Sequence, residues 1–386
     1  MKKFSLANEE QLFVKKETTE GTLVYPAATD AVLAVGAATT NQETEFLEDG
    51  QIRARRSRST PIKGRTQPGA WSFTTYVKPY GTAAPSITAP ECDVLMECLL
   101  GKKAGGGASP IVYSLDSTTN LPSFSMLRKV GHTVFYMAGC TVNQGQFNIA
   151  GNEIATINWS GQFMKWYYAG TDTLALAVGG SQAYIMVNDP RRFTAGGRFT
   201  LPSQTNGGAG FLITSVNYAT GRVNCTPNVA AASLAAVVSP WYPSTATEDG
   251  APVHGKLGMV TIDATNAVIL SSQVTITNNI KYYVDEKNGR WYPTIYGAPG
   301  FRDVGGTISL YFYKNTTNYF YRSEYQEQDA LIIPAGSVAG KIMEISCPKI
   351  EYKSPQLSGN EEIMIELPFT AVGSATGDDE ITVTFK

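Results

Sequence analysis

Histidine is nearly absent from this chain of 386 residues: only His132 and His254 occur, far apart and each without a cysteine or acid at ligand spacing. That argues strongly against histidine-based metal cages and Ser–His chemistry. Cysteine is also scarce. Cys92, Cys98, Cys140, Cys225 and Cys347 contain no C-x-x-C pair and leave one over, so they read as buried thiols rather than a zinc site or a disulfide framework. Charged residues make up 17% with a formal net charge of -2, without the basic excess of a general nucleic-acid binder. No run approaches the roughly 18 consecutive apolar residues of a membrane span. Met1-Lys2-Lys3-Phe4 runs into Asn8-Glu9-Glu10-Gln11 instead of an apolar export core, so synthesis in a reducing cytoplasm is expected. Ala104-Gly105-Gly106-Gly107-Ala108-Ser109 reads as a flexible tip, since no Gly-Lys-Ser/Thr ends the run as in a phosphate loop. The acids Asp378-Asp379-Glu380 lie in a turn, and a paired-carboxylate hydrolase is the one enzymatic class left open. No base, nucleophile or metal cage can be named, so the chain is read as a non-enzyme without cofactor.

What is abundant favours β structure: Gly 37, Tyr 20 and Phe 16, with frequent Thr and Val. The chain is organised around a hairpin that occurs twice. Gly151-Asn152-Glu153 opens a strand with Ala155, Ile157, Trp159 and Phe163 on one face and Thr156, Asn158, Ser160 and Gln162 on the other. Gly359-Asn360-Glu361 opens a second, with Ile363, Ile365, Leu367 and Phe369 against Glu362, Met364, Glu366 and Thr370. Each turn follows another apolar-polar run, Thr141 to Ile149 and Ile350 to Leu357, so each hairpin has one buried and one wet face. Upstream of each comes a strand beginning near Gly69 or Gly306 and a short helix, Glu91 to Leu100 after Pro90 and roughly Thr317 to Gln328. The element order is kept twice, which is the mark of a duplicated chain.

Residues from about 174 to 255 match neither half. Short strands at Tyr184–Val187, Arg198–Leu201, Phe211–Ile213 and Arg222–Asn224, cut by glycine and proline, indicate an inserted small barrel or sandwich that projects outward. Its replacement by a short Gly/Ser linker is expected to leave the rest intact. The connection from Thr39 to Pro68 carries Glu43, Glu45 and Glu48 and then Arg53, Arg55, Arg56 and Arg58, with almost nothing apolar. An acid-then-base loop of that length fits contact with another subunit better than with nucleic acid, because its charges nearly cancel and no aromatic interleaves with the arginines. The corresponding connection from Asn278 to Gly305 carries Tyr282, Tyr283, Trp291 and Tyr292, read as interface anchors, with a sugar-binding face as the competing reading.

Taken in order, Lys15-Lys16-Glu17-Thr18-Thr19-Glu20-Gly21-Thr22, the helix at Cys92 to Leu100, the Gly151-Asn152-Glu153 hairpin, Gly297-Ala298-Pro299-Gly300 and the closing Pro368-Phe369 to Lys386 resemble the tail tube (major tail) proteins of long-tailed bacteriophages. The resemblance implies a mainly β chain with two tail-tube-type β-sandwich domains, each with one flanking helix. Expected boundaries are 1–175 and 258–386, with the inserted module at 176–257. It also implies a structural virion protein whose inner sheets join around a ring and whose rings stack into a hollow conduit. Tape measure protein and DNA would occupy the lumen without specific binding, with no membrane involved. Thr156, Asn158, Ser160, Glu362 and Glu366 are possible lining residues. Family lumens tend to be acidic, so the arginine loop is expected between rings. Two tube domains per chain predict trimeric rings with a pseudo-sixfold wall; hexameric rings are the alternative. The competing functions are a carbohydrate-binding β-sandwich protein and another virion part, a tail terminator or decoration protein.

Overall fold

The computed structural model describes residues 9–48, 61–79, 87–116, 121–202, 204–243, 250–255, 258–283, 293, 295–297, 301–313, 316, 318–359, 361–374 and 377–386. Among these residues the fold is mainly β with two α-helices, and nineteen of the strands form one hydrogen-bonded network. In the first part the elements are β1 (Gln11–Lys16), β2 (Thr39–Asn41), β3 (Gly69–Tyr76), α1 (Asp93–Leu100), β4 (Phe124–Val130), β5 (Thr133–Ala150), β6 (Thr156–Phe163) and β7 (Lys165–Gly170). The second part runs β8 (Val260–Ile262), β9 (Ile269–Thr277), β10 (Asp303–Tyr311), α2 (Asn318–Glu324), β11 (Gln328–Ala335), β12 (Met343–Tyr352), β13 (Gln356–Ser358), β14 (Met364–Ala371) and β15 (Thr382–Phe385).

The pairings of the first set recur in the second. β1, β4, β5 and β7 are neighbours in that order, and so are β8, β11, β12 and β15. On the opposite side β2, β3, β6 and the far end of β5 pair in sequence, and so do β9, β10, β14 and the β12–β13 edge. The long strand β5 serves both sheets because its pairing shifts register, between Met137 and Cys140 against β4 and between Val142 and Gln144 against β6. The two parts are fused edge to edge: Gln144 to Ala150 of β5 pair antiparallel with Thr277 to Ser271 of β9. One continuous sheet therefore runs β2-β3-β6-β5-β9-β10-β14 and ends on β12 and β13.

Alternation along these strands drives the packing. Trp71, Phe73, Phe147, Ile157, Trp159, Val274, Ile276, Ile308, Leu310, Ile365, Leu367 and Phe369 all point to one buried core shared by both parts. α1 follows Pro90, carries Asp93 in its first turn, and stops at Gly101, whose φ of +105° disfavours a side chain. Its Leu95, Met96, Cys98, Leu99 and Leu100 are buried, whereas α2 has no buried residue. The difference is a hairpin present only in the first part. Gly101–Gly106 pairs with Ser109–Leu115, which covers α1 and then extends the second part's sheet by pairing with β15.

This hairpin corrects the reading of the glycine run as a flexible tip. Gly105 (φ +89°) sits so close to Pro110 that a Cβ would lie 1.9 Å from its carbonyl oxygen, so glycine is what lets the ribbon fold tightly.

Residues 172–240 build a separate six-stranded sheet. It is not a pendant module. Its Leu174, Phe193, Phe199, Val238 and Trp241 form one cluster with Phe13, Leu127, Val134, Tyr136 and Ala169 on the outer face of the first part. The Tyr136 hydroxyl donates to the Trp241 carbonyl oxygen (2.6 Å), and Thr194 N donates to the Tyr168 carbonyl oxygen along the edge of β7. The same face of the second part is more polar, with Thr261, Glu344, Ser346, Thr382 and Thr384 around Ile332 and Pro334, and among the described residues no such sheet covers it. Contrary to the expectation that a short linker could replace the insert, its removal would bare large apolar side chains.

Candidate functional site

The continuous sheet has a second, wet face. Along β6 it presents Thr156, Asn158, Ser160 and Gln162, along β5 Gln144, Gln146 and Asn148, and along β3 Ser72 and Thr74. β9 adds Gln273, Thr275 and Thr277, β10 Thr307 and Ser309, and β14 Glu366 and Thr370. These groups bond to one another instead of waiting for a ligand. Thr74 Oγ1 donates to Asn158 Oδ1 (2.8 Å), and Asn158 Nδ2 donates to Gln146 Oε1 (3.0 Å). Across the fusion Gln273 Nε2 donates to Asn148 Oδ1 (3.1 Å).

The described wet-face residues of β3, β5 beyond Gln144, β6, β9, β10, β13 and β14 include the carboxylates Asp303 and Glu366 and no lysine or arginine. Over those strands the face repels phosphate weakly and offers no cation to hold it; only where the sheet ends on β12, with Glu351 opposite Thr370, do Lys349 and Lys353 flank it. Of the residues expected to line it, Thr156, Asn158, Ser160 and Glu366 are present; Glu362 lies instead in the turn before β14.

Each end of the sheet is an unpaired edge among the described residues. At one end β2 is held from behind: Arg128 donates to both carboxylate oxygens of Glu10 (2.8 and 3.2 Å) and, through Nη1, to Thr40 Oγ1 (2.6 Å), while Glu10 Oε1 accepts from Ala38 N. Such a bidentate, largely buried pair fixes geometry as well as charge. At the other end Ser358 Oγ is buried without a hydrogen-bond partner in the single chain, and Leu357 beside it is exposed.

Two hairpin arms leave the sheet at the same end. The first pairs Thr44–Leu47 with Ile62–Thr66, and the second pairs Lys281–Tyr283 with Ile295–Gly297; neither joins the main network. Glu45 of the first arm pairs with Arg65 (3.1 Å), Glu43 and Glu48 are exposed beside it, and Arg53, Arg55, Arg56 and Arg58 fall outside the described residues. In the second arm Tyr282 folds back on the first part of the same chain. Its hydroxyl donates to the Gly139 carbonyl oxygen (2.7 Å) and lies 2.9 Å from Thr141 Oγ1, and its ring packs against Leu121, Met164 and Ile280. Tyr283 is exposed, and Trp291 and Tyr292 fall outside the described residues.

The base of this arm is fixed by a residue that sequence reasoning missed. Asn278 is buried, donates to the carbonyl oxygens of Leu99 (2.9 Å) and Val142 (3.1 Å), and accepts from Arg302 Nε (3.1 Å). Burial lowers the affinity of Arg302 for its proton, partly offset by Asp378 and Glu380 nearby. Only its place just after an alternating strand could have marked Asn278 out.

Among the described residues no group of three His, Cys, Asp or Glu side chains could hold a metal, and no helix is long and apolar enough to cross a membrane. A family model described as phage tail tube protein matches residues 7–371. No curated protein matches the chain.

Proposed function

The chain belongs to the phage tail tube protein family, a structural component of the virion tail that assembles as many copies into a tube, and on that premise we propose that its continuous sheet forms the wall of the DNA conduit. In this reading residues 1–175 and 258–386 are two tube domains flanking the 176–257 insert, and three chains close a ring with a pseudo-sixfold inner wall. The observation that carries it is the correspondence between the fused edges and the free ones. β5 and β9 pair inside the chain, and their counterparts, β13 and β2, are the edges of the continuous sheet left open among the described residues. Closing them on the next chain removes the hazard of an exposed sheet edge by association itself.

The wet face then lines the lumen. Its hydroxyls, amides and few carboxylates let tape measure protein and DNA pass without specific binding, since no phosphate contact releases counterions. The arms lie at one rim, where Glu43, Glu45, Glu48 and the Arg53, Arg55, Arg56 and Arg58 run contact the next ring, and Tyr283, Trp291 and Tyr292 add aromatic anchors. Tyr282 serves the same purpose within the chain. Synthesis takes place in the bacterial host cytoplasm before assembly, and no catalytic step is involved.

Electron microscopy of the purified protein tests the reading. Hollow tubes of stacked rings are expected. Single particles under all assembly conditions would overturn it.

A further inference from the structure

The two helices hold the same place in the repeat, α1 against β5 and α2 against its counterpart β12, where Tyr319 meets Tyr352 edge to face and Arg322 pairs with Asp329. Only α1 is covered. None of its residues is exposed, whereas Phe320, Tyr321, Glu324 and Tyr325 share the outward face of α2 at helical spacing, with the three aromatics 38%, 54% and 62% exposed. The Tyr321 and Tyr325 rings lie 4.3 Å apart, so these side chains form one aromatic patch. What covers α1 also crosses the seam: Lys103 Nζ and the Tyr113 hydroxyl of the hairpin donate to Asp93 at the helix start (2.7 and 2.5 Å), and the hairpin then pairs with β15 of the second part. The first part's counterpart of β15 is β7. Its outer edge is taken by the insert: Thr194 N donates to the Tyr168 carbonyl oxygen (3.0 Å), Thr194 Oγ1 accepts from Tyr168 N (2.7 Å), and Phe193 stands opposite Ala169.

Resting on the tube reading above, we propose that the aromatic face of α2 docks on residues 189–196 and Tyr218 of the insert of a second copy of this chain, its neighbour in the same ring. If the open edges join as the seam does, α2 of one chain stands to β7 of the next as α1 stands to β15 within a chain. The hairpin fills that space inside the chain, and the neighbour's insert fills it between chains. Tyr218 is 55% exposed and is held at the edge of β7, where its hydroxyl donates to the Phe193 carbonyl oxygen (3.3 Å). Exposed Arg191 of the insert and exposed Glu324 of α2 are opposite in charge, and among the described residues neither is in an ion pair. The numbers match, since each chain carries one uncovered helix and one insert. The contact is head-to-tail, and it makes the insert a clamp anchored to its own chain through Phe193 and Trp241 while it holds the helix of another.

The test is a photo-reactive benzophenone amino acid placed at position 321, where it keeps an aromatic side chain on an exposed site. Irradiation of assembled protein, followed by mass spectrometry of the joined peptides, is expected to attach position 321 to residues 189–196 or to Tyr218 of another copy. Intact tubes in which position 321 attaches elsewhere, or to nothing, would overturn the helix contact and leave the tube reading standing; failure of the unmodified protein to form tubes would overturn both. Independently, Tyr321→Glu with Tyr325→Glu is expected to leave a monomer that melts with the unmodified chain and forms no rings. Normal tubes from that double variant would also remove α2 from the contact.

Discussion

Phe147 of β5 faces Val274 of β9 across the seam that fuses the two parts of the chain, and both side chains are wholly buried. The pair makes a single core out of two repeats, so its loss acts on both. Phe147→Ala is expected to cost about 3–5 kcal/mol, the usual range for emptying an aromatic site in a packed core. On the wet side of the same strand pair, Thr275→Ala is expected to stay within about 0.5 kcal/mol. Urea denaturation followed by tryptophan fluorescence compares the two; equal midpoints would mean that the seam does not bear on stability.

Glu17 is a buried carboxylate with no cation at its oxygens among the described residues. It accepts instead from Gly21 N (2.8 Å), Ser123 Oγ (2.7 Å), Ser125 Oγ (2.7 Å) and Gly139 N (2.9 Å), tying the turn after β1 to the bend in β5. Removing the acceptor orphans several buried donors at about 1–3 kcal/mol each. Glu17→Ala is therefore expected to lower the thermal midpoint strongly and Glu17→Gln less, because the amide keeps one accepting oxygen. Unchanged melting of Glu17→Ala would show that water replaces the carboxylate at no cost.

The strands that alternate strongly were legible in the sequence. Thr156 to Phe163 and Met364 to Ala371 fall where period and the Gly-Asn-Glu turns put them, and so does α1; α2 starts where expected but ends at Glu324, because Gln328 already opens β11. The seam was not legible, because Gln144 to Ala150 and Ser271 to Thr277 meet through backbone hydrogen bonds that any side chain permits. The stretch that opens the second part is broken at Asp263 and Ala264, both with positive φ, into β8, a short return strand Thr265–Ala267 and β9, a break that apolar-polar alternation does not announce. The attachment of the insert escaped for a different reason: Phe13, Leu127 and Tyr136 are apolar on a face that period alone assigns to solvent. Tyr282 was read as an anchor for a partner, and its hydroxyl binds Gly139 of the same chain.

Alkaline pH is expected to destabilise the fold. Burial pushes the thiols up, Cys225 to about 11 and Cys347 to about 12, and holds Cys98, Cys140 and Tyr136 well above their usual values. Unfolded thiols ionise near 9.0 while the folded ones stay protonated, so the unfolded state binds fewer protons above that pH. The contribution is fully present below pH 9.0 and is lost as pH rises through the folded values of about 11 and 12. Urea midpoints should hold steady up to pH 9.0 and fall beyond it, less steeply for Cys347→Ala than for the unmodified chain. A flat profile to pH 11 would contradict the assignment.

Replacing residues 180–255 with a Gly/Ser linker is expected to produce protein that binds a hydrophobic dye and aggregates, because Phe13, Leu127, Val134 and Tyr136 lose their cover. Burial of such side chains stabilises by about 1.5–3 kcal/mol each. The same deletion combined with polar replacements at Leu127 and Val134, copying the polar outer face of the second part, is expected to recover solubility. A soluble, dye-negative simple deletion would show that the insert stands apart after all.

Register fixes which residues the two open edges would bring together. Counting from the two hairpin turns, Leu357 takes the place of Phe147, since they oppose Ile365 and Ile157, each six residues past the glycine of its turn. Thr40 takes the place of Val274, because Thr40 opposes Trp71 and Val274 opposes Gly306, the partners of Gly161 and Phe369. If the open edges join as the seam does, Leu357 of one chain faces Thr40 of the next, and Ser358 Oγ gains the partner it lacks near Thr39. If the ring holds six tube domains, as the proposed pseudo-sixfold wall requires, three junctions lie within chains and three between them, and three chains close it. Thr39→Cys with Ser358→Cys is then expected to cross-link to closed trimers and no further, since each chain offers one of each edge. Mass photometry of ring fragments should give three copies of the 41.6 kDa chain. Rings of six chains, or cross-linked products beyond the trimer within a single ring, would mean that the two parts act as one larger domain and that the seam is not a template for the contact between subunits.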